Sequence, residues 1–371
     1  MTMSVNQAML KPVVESSVRS NDLTISIYEN EVPAFVEAAL ENLYENLYSS
    51  LIQLEVHGRT DNLSTYVATE YGKETVILLF RMESGRARVL NNVIKMDESV
   101  VARFASALFD RFKSINVIVF ETVQTNIRRL AFPYQRFNSS EDIVLTLPRS
   151  SEEYVANLGK NTRKNVKYYL NRVKRNFPSF EFKLYEKEAV SEAQVLDILR
   201  LKSNRLAGKN MSTAHHDSET EKILRLVKAR GLVGIISING QVCAGSIGYR
   251  VGTNSFGGVL AHDLEYDGYW IGMLCLYLTI CECIALGCSE HHFLWGQDEF
   301  KYRMLGVQRD LDDITIYRSR TQYVLNVVTA CKAASKGYVR RSKLWLREAK
   351  TRDDHVGKLL SKLTRRKVLA G

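Results

Sequence analysis

The sequence of 371 residues lacks the short patterns that mark several common classes of functional site. Its six cysteines form no CxxC pair, which argues against a zinc site, and a disulfide framework is unexpected in so long a chain. Neither GxGxxG nor GxxxxGK followed by Ser or Thr occurs, so dinucleotide and P-loop nucleotide sites find no support. No serine or cysteine nucleophile is recognisable. This cysteine usage fits a reducing, cytoplasmic location.

Long apolar runs are also scarce. The longest, residues 270–288, is interrupted by Thr279 and Glu282 and is followed by a strand-like sequence. We therefore expect a buried helix there and not a membrane-spanning segment. Residues 1–22 are polar and mixed, which predicts a loose tail and not a targeting peptide.

Excess positive charge is confined to the C-terminal end. Residues 318–371 contain 15 lysines and arginines and three acidic residues, which leaves 36 basic and 38 acidic residues elsewhere. The pattern predicts a basic helical tail, residues 320–371. Three interpretations stay open: a solvated appendage, a surface that docks on an anionic membrane or an acidic partner, and a nucleic-acid contact. Docking on lipid would place the protein at the inner membrane surface.

Two hairpin signals, at Gly72 and Gly240, separate strand-like runs. Each hairpin leads through a third strand-like run into a helix and then into an apolar strand. A helix is predicted before the first hairpin, over residues 32–53. Two copies of one meander–helix–strand unit predict tandem domains of the same fold, residues 23–147 and 148–319.

A basic segment, residues 155–175, lies between the two copies. It contains seven lysines and arginines, no acidic residue and an apolar stripe at helical spacing. Two interpretations stay open: the basic residues are a solvated helix face, or they form a positively charged surface that attracts a phosphate-bearing ligand.

A glycine-containing loop precedes the apolar helix of the second copy. A helix that follows such a loop presents free backbone N–H groups at its positive end, where a pyrophosphate can bind. Gly268 and Gly272 would let the backbone approach a ligand closely, and Tyr269 and Trp270 could cover it.

This order of meander, glycine loop, helix and strand resembles the Gcn5-related N-acetyltransferase (GNAT) superfamily. The segments DGYWIGMLCLY and FLWGQDEFKYRMLG resemble its CelD-like branch, the cellulose- or exopolysaccharide-biosynthesis-type acetyltransferases. Fem-type aminoacyltransferases are relatives built from two such domains. The resemblance implies an α/β (α+β) chain of tandem acyl-CoA N-acyltransferase-like domains, with mixed, mostly antiparallel sheets flanked by helices.

The resemblance also implies a thioester donor, acetyl-CoA or a longer acyl-CoA, with no metal, and an amine or hydroxyl acceptor. In this branch the acceptor is often tied to exopolysaccharide or cell-envelope assembly. Gly272 falls on the family's loop glycine, whereas Ile271 stands where proline is usual. The expected donor-binding residues are Val259, Leu260, Gly268, Tyr269, Trp270, Ile271 and Gly272.

The second motif supplies the expected acceptor-binding residues. Gly296 matches the glycine that ends the family's strand, and Lys301 follows five residues later as in the family. Phe300 stands where tyrosine is usual, and Gln297 replaces the first acidic residue. Lys301 is expected to hold a phosphate or a carboxylate.

Acyl transfer needs a positioned donor, a polarised thioester carbonyl and a proton acceptor. Backbone N–H groups of the strand edge before residue 263 are candidates for the carbonyl. His262 and Asp263 end that strand and are the first candidates for acid–base catalysis, since histidine titrates near neutral pH. Asp298 and Glu299, at the end of the neighbouring strand, are the second candidates.

Two pairs of adjacent histidines occur in the second half of the chain. His215 and His216 lie in a loop before a helix, whose cap the next residues provide. His291 and His292 alternate along a strand, so we expect one to point inward and the other outward. Neither pair predicts a metal site.

Three classes of function stay open. The first is an acyl-CoA-dependent N- or O-acyltransferase. The second is a transferase of the same fold with another donor, either aminoacyl-tRNA in a Fem-type enzyme or acyl carrier protein in an N-acyl amino acid synthase. The basic segment and tail would suit these acidic donors. The third is a non-catalytic binding protein with a degenerate copy of the fold.

Overall fold

The structure is a computed structural model of the chain. It describes residues 23–207 and 217–328, together with 330–331, 334–335, 337–340, 342 and 345. The predicted N-terminal tail, His215, His216 and most of the predicted basic tail lie outside the described residues.

The first half of the chain alternates short helices with strands. In chain order its elements are β1 (Leu23–Tyr28), α1 (Val36–Tyr44), a 3₁₀ helix (Leu47–Ser49), α2 (Leu51–Val56), β2 (Leu63–Glu70), β3 (Lys73–Glu83), β4 (Arg86–Val89), β5 (Lys95–Met96), α3 (Glu98–Arg111), β6 (Val117–Thr125) and β7 (Tyr134–Thr146).

The second half has longer helices around a second set of strands. Its elements are α4 (Ser151–Asn157), α5 (Lys160–Asn176), β8 (Glu181–Glu186), a 3₁₀ helix (Lys187–Ala189), α6 (Glu192–Ala207), α7 (Asp217–Arg230), β9 (Gly231–Ile238), β10 (Gln241–Val251), β11 (Asn254–His262), a 3₁₀ helix (Leu264–Tyr269), α8 (Ile271–Ala285), β12 (Glu290–Leu294), α9 (Glu299–Arg303), β13 (Val307–Tyr317) and α10 (Arg320–Leu325).

The predicted hairpins are present. Tyr71 and Gly72 join β2 to β3 with φ values of 52° and 77°, and Asn239 and Gly240 join β9 to β10 with values of 53° and 76°. Two successive residues with positive φ form a turn whose twist matches that of the paired strands. Local sequence therefore sets the register of both hairpins.

The single helix predicted over residues 32–53 is wrong. The segment forms α1, a 3₁₀ helix and α2, and the break falls at Glu45, whose φ is 43°. Asn46 follows, and its buried side chain accepts a hydrogen bond from Tyr48 N and donates one to Val93 O. Hydrogen bonding by Asn46 replaces the helical pattern that the apolar spacing suggested.

The described residues divide into two compact units. The first consists of residues 23–81, 91–94 and 141–309, and the second begins with residues 82–90 and 95–140 and continues from residue 310. The predicted domains, 23–147 and 148–319, stay a prediction about sequence segments.

Within the first unit, β1, β2 and β3 pair antiparallel in sequence order. Strands β8, β9, β10 and β11 also pair antiparallel, and β12 then pairs parallel with β11 and antiparallel with the end of β7. Helices α6 and α7 cover one face of this sheet, and α5 and α8 cover the other. Strand β12 therefore has apolar packing on both faces.

Within the second unit, β4 and β6 pair parallel, and β6 and β13 pair antiparallel. Phe104 of α3 packs edge-on against Phe120 of β6, and both rings are fully buried. Each predicted copy thus ends in a strand that runs parallel to the last strand of its meander, β4 with β6 and β11 with β12. The predicted mixed, mostly antiparallel α/β fold is confirmed.

Candidate active site

Strands β11 and β12 diverge in the middle of the sheet of the first unit. They pair only over three residues each, and the last pair is Phe256 with His292. Strand β11 continues to His262 beside β10, whereas β12 stays with β7 as far as Leu294. Two neighbouring strands that stop pairing leave a gap with a backbone edge on each side.

A β-bulge lies at the mouth of this gap. Gly257 pairs with Gly248, but the next pair is Val259 with Ile247, so Gly258 is the extra residue. Gly258 is exposed and Gly257 is half-buried, although β11 lies inside the sheet. A bulge leaves one backbone position unpaired, and it therefore provides polar groups that a ligand can reach. The predicted donor residues Val259 and Leu260 follow directly after it.

The loop after β11 differs in part from its prediction. Gly268 is exposed, Tyr269 and Trp270 are half-buried, and Ile271 and Gly272 are buried. Trp270 precedes α8 in the left-handed region, with φ of 57°. A Cβ on Gly272 would lie 2.6 Å from His262 Nδ1. The space at Gly272 is therefore filled by the His262 ring.

The structure separates the first two catalytic candidates. His262 Nε2 lies 2.6 Å from Asp267 Oδ1, so its partner is Asp267 and not the adjacent Asp263. Asp263 accepts a hydrogen bond from Glu265 N and caps the 3₁₀ helix. His262 is held by a carboxylate at the end of β11, which is an arrangement that orients an acid–base histidine.

The second motif lies around the end of β12. Glu299 pairs with Arg303, and Gln297 donates a hydrogen bond to Gln308. Asp298 precedes α9 without a side-chain cap, and Phe300 packs against the core beside α8.

Lys301 and Gly296 hold the end of β12 in place. Lys301 is 5% exposed, and its Nζ donates to Leu294 O at 3.3 Å and to Trp295 O at 2.5 Å. Burial lowers the pKa of Lys301. Gly296 has a φ of 93°, and its N–H donates to Glu141 Oε1. The ammonium group predicted to bind substrate thus satisfies two backbone carbonyls of its own chain.

Both histidines of β12 are buried, so the prediction that one points outward is wrong. His291 is 3% exposed and His292 is 5% exposed, because helices or loops cover each face of this strand. The two side chains alternate as predicted, but each points into a packed layer.

His292 belongs to a chain of charges on one face. Its Nδ1 lies 2.6 Å from Asp142 Oδ2, its Nε2 lies 3.4 Å from Glu290 Oε2, and Arg309 donates to both oxygens of Glu290. Burial lowers the pKa of His292, but its bonds to Asp142 and Glu290 outweigh burial, and the pKa is raised. The bond from His292 lowers the pKa of Glu290 to about 2.

His291 lies on the opposite face and has one polar partner. Its Nδ1 is 3.0 Å from Ser255 Oγ, and Ser255 Oγ also donates to Glu290 O. Burial lowers the pKa of His291 to about 3, so the ring is neutral. The sequence did not reveal these pairings, because Asp142 and Ser255 lie far along the chain from the histidines that they contact.

Helix α5 lies beside the loop that precedes α8. Arg172 donates to Gly268 O, and its guanidinium lies 4.7 Å from the centre of the Tyr269 ring. Asn176 donates to the Tyr269 hydroxyl, and Tyr169 packs against Trp270. The basic segment 155–175 is divided between the end of α4 and α5, with a break at Leu158 and Gly159, and α5 contacts the candidate donor loop.

Two negative findings apply to the described residues only. No three of their His, Cys, Asp and Glu side chains are arranged to hold a metal ion. None of their helices is both long enough and apolar enough to span a bilayer.

Comparison with known proteins identifies a domain and a fold. Residues 160–302 match the family model described as an acetyltransferase (GNAT) domain. FemX matches with a TM-score of 0.60 at 8% identity, over 80% of this chain and 99% of that chain. A conserved protein of unknown function from Bacteroides thetaiotaomicron matches with a TM-score of 0.53 at 13% identity, over 79% of this chain and 100% of that chain.

No curated protein matches the sequence. The matched segment, 160–302, contains β11, the candidate donor loop, α8 and β12. At identities this low the solved structures establish the fold alone. Residues 160–302 thus match a GNAT-type acetyltransferase domain, and the chain shares its fold with FemX.

Proposed function

We propose that the chain transfers an acetyl or longer acyl group from acyl-CoA to an amine or hydroxyl acceptor. The divergence of β11 from β12 carries this proposal, because it opens the sheet beside an exposed bulge inside the GNAT-matched segment. An extended thioester arm fits a gap bordered by two strand edges. A donor held there would gain from positioning without a covalent intermediate on the enzyme.

The backbone around Gly258 would polarise the thioester carbonyl. N–H groups fixed in a sheet need no reorganisation as negative charge develops on the oxygen, which favours the tetrahedral intermediate. His262, oriented by Asp267, is the proton acceptor that we favour among the predicted candidates. Asp263 serves as a cap and Glu299 pairs with Arg303, which leaves both less suited to this role.

The cations for the donor's phosphates would come from α5. The loop before α8 carries Asp263, Glu265 and Asp267 and no basic residue, so its own charge repels phosphate. Arg172 of α5 already touches this loop at Gly268. The other basic residues of α5 are exposed: Lys160, Arg163, Lys164, Lys167, Lys174 and Arg175.

Thermal unfolding with acetyl-CoA, a long-chain acyl-CoA and free CoA tests the proposal. A ligand at one hundred times its Kd should stabilise the protein by about 2.7 kcal/mol. Gly257→Val should abolish this shift, because the valine side chain would fill the gap while its Cβ makes only ordinary contacts. Gly159→Val, whose Cβ meets open space, is the matched control. No shift with any of the three ligands would overturn the proposal.

A carrier-borne donor is the second candidate, and the exposed basic face of α5 favours it. Acyl carrier protein and aminoacyl-tRNA are both acidic, and either could dock beside the loop. Turnover with acyl carrier protein or aminoacyl-tRNA, and none with acyl-CoA, would select this candidate. Binding without turnover would leave the non-catalytic alternative.

The narrower biological setting follows from the motifs that resemble the CelD-like branch. We propose an acceptor in exopolysaccharide or cell-envelope assembly, with the protein in the cytoplasm or at the inner membrane surface. A comparison of glycan, amine and peptide acceptors with a fixed thioester donor would identify the acceptor class and separate N- from O-acylation.

A further inference from the structure

The hydrogen bonds around Ser255 bear on which nitrogen of His291 carries the proton. The Ser255 hydroxyl has a single proton, which it donates to Glu290 O at 3.1 Å. With the Ser255 proton on Glu290 O, His291 Nδ1, 3.0 Å away, donates to Ser255 Oγ, and we assign the lone pair to Nε2 on that basis. The lowered pKa of the buried ring agrees with this neutral form.

Nothing in the described structure bonds to that lone pair. His291 Nε2 is fully buried and has no hydrogen-bond partner, and the Phe293 ring lies edge-on to the imidazole with 4.7 Å between the ring centroids. An unsatisfied buried polar group costs about 1–3 kcal/mol. Such an atom in an apolar layer needs an explanation, and a ligand that donates a hydrogen bond to it is one.

The unpaired nitrogen lies beside the first residue of β11 that no longer pairs with β12. A Cβ built on Gly257 would lie 3.7 Å from His291 Nε2, and Gly257 is the first residue of β11 beyond the last pair with β12. Because Gly257 has no side chain, no atom of that residue screens the nitrogen from the mouth of the gap. The acceptor thus lies on the α8 side of the gap, where a donor arm would enter.

We propose that His291 Nε2 accepts a hydrogen bond from an amide N–H of the donor's pantetheine-type arm, an inference that rests on the proposed function. Such an arm carries secondary amides, whose N–H groups need acceptors once they leave water. A neutral imidazole gives that acceptor without placing a charge in the apolar layer. With a pKa of about 3 the ring is a weak base, so its role is binding and not proton abstraction.

His291→Phe is the direct test, with CoA and acetyl-CoA as probes in calorimetric titration and steady-state kinetics. The substitution keeps a planar ring and removes both nitrogens, while Ser255 retains its bond to Glu290 O. Loss of one hydrogen bond should raise the Kd and KM for acetyl-CoA about three- to tenfold and leave kcat nearly unchanged. The free variant should unfold at the same temperature as the wild type or higher, because an unpaired acceptor is gone.

Dephospho-CoA separates this role from binding of the phosphates. It carries the same arm, so the ratio of the Kd of the variant to that of the wild type should equal the ratio found with CoA. Equal affinity of both proteins for CoA, together with a lower unfolding temperature of the variant, would overturn the inference and make His291 structural.

Gly257→Ala gives a second test that leaves His291 intact. Its methyl group would make ordinary contact with Nε2 and would screen it from the gap, so CoA should again bind more weakly. Unchanged affinity in this variant contradicts the inference. If the wild type binds no thioester at all, the proposed function fails instead.

Discussion

The two faces of β12 hold adjacent histidines in opposite states. The pKa of His292 is raised by Asp142 and Glu290, and Arg309 continues the chain of charged groups beyond Glu290. His291 is neutral, bonded to one hydroxyl and unsatisfied at its other nitrogen. Burial is nearly equal, so the partners decide the charge. One face carries a chain of alternating charges in which Asp142 Oδ1 and His292 Nε2 still have no hydrogen-bond partner among the described residues, and the other face carries a ring whose pKa is lowered.

The largest expected effect comes from removing the His292 imidazole from the face that also holds Asp142 and Glu290. His292→Phe leaves the buried Asp142 without its cation, whereas the half-buried Glu290 keeps Arg309, and loss of one partner from a buried ion pair costs about 3–5 kcal/mol. We expect a loss of that size in the free energy of unfolding, measured by urea denaturation. His291→Phe is the control and should change the free energy of unfolding by less than about 1 kcal/mol, because loss of its bond to Ser255 is offset by removal of an unpaired buried nitrogen. If both variants lose the same free energy of unfolding, the proposed difference between the two faces of β12 is contradicted.

Opposite pH dependences should distinguish the two faces. The raised pKa of His292 stabilises the fold below the ordinary histidine value, and this contribution is lost as pH rises through the folded-state pKa. The pKa of His291, lowered from 6.5 to about 3, makes stability fall as pH falls through that range. Glu290, lowered from 4.5 to about 2, adds a loss below pH 4.5.

Denaturation between pH 3 and 9 should therefore show a shallower alkaline loss in His292→Phe and a shallower acid loss in His291→Phe. Side-chain ¹⁵N spectra at pH 6 give a direct measurement. His292 should carry protons on both nitrogens and His291 only on Nδ1. A doubly protonated His291 would contradict the assignment.

A smaller effect is expected at Lys301, which binds the backbone at the end of β12. Lys301→Met keeps the length of the side chain and removes the ammonium group from Leu294 O and Trp295 O. Hydrogen bonds to a charged group contribute about 1.5–3 kcal/mol, so unfolding should be easier by about that amount. Arg303→Met, at an exposed ion pair, should change stability by less than about 1 kcal/mol. If Lys301→Met is as stable as the wild type, the ammonium group is not needed for stability, and the predicted contact with substrate becomes the favoured role of this residue.

The smallest effect is expected at Ser255. Ser255→Ala removes the hydroxyl that fixes the tautomer of His291, and a single hydrogen bond contributes about 1 kcal/mol. Acetyl-CoA should bind two- to threefold more weakly, because part of the His291 population would then carry its proton on Nε2. A loss of affinity larger than that in His291→Phe would show that Ser255 has another role.

Local signals in the sequence predicted the elements that local physics determines. The turns at Gly72 and Gly240, the helix α8 and the basic helix α5 follow from turn chemistry and apolar spacing. The break at Glu45 was missed because it depends on a bond from Asn46 to a residue 47 positions away. The protonation of the β12 histidines was missed for the same reason, since Asp142 is 150 positions from His292.

For the predicted site, the sequence indicated where the segments lie but not which contacts their side chains make. The strand end, the loop and the second motif lie next to the gap, as their order in the chain suggested. The sequence could not show that Lys301 bonds backbone carbonyls or that His262 fills the space at Gly272, because both depend on how the loops pack.

The pairing of β12 with the end of β7 limits how this domain can be exchanged between proteins. Asp142 neutralises His292, and Glu141 binds the backbone at Gly296, yet both precede the matched segment 160–302. A graft of that segment alone would leave His292 in a buried layer without its Asp142 partner and would leave the edge of β12 without the strand that pairs with it. The smallest portable form of the domain therefore begins before residue 141, and recombination within β7 would be selected against.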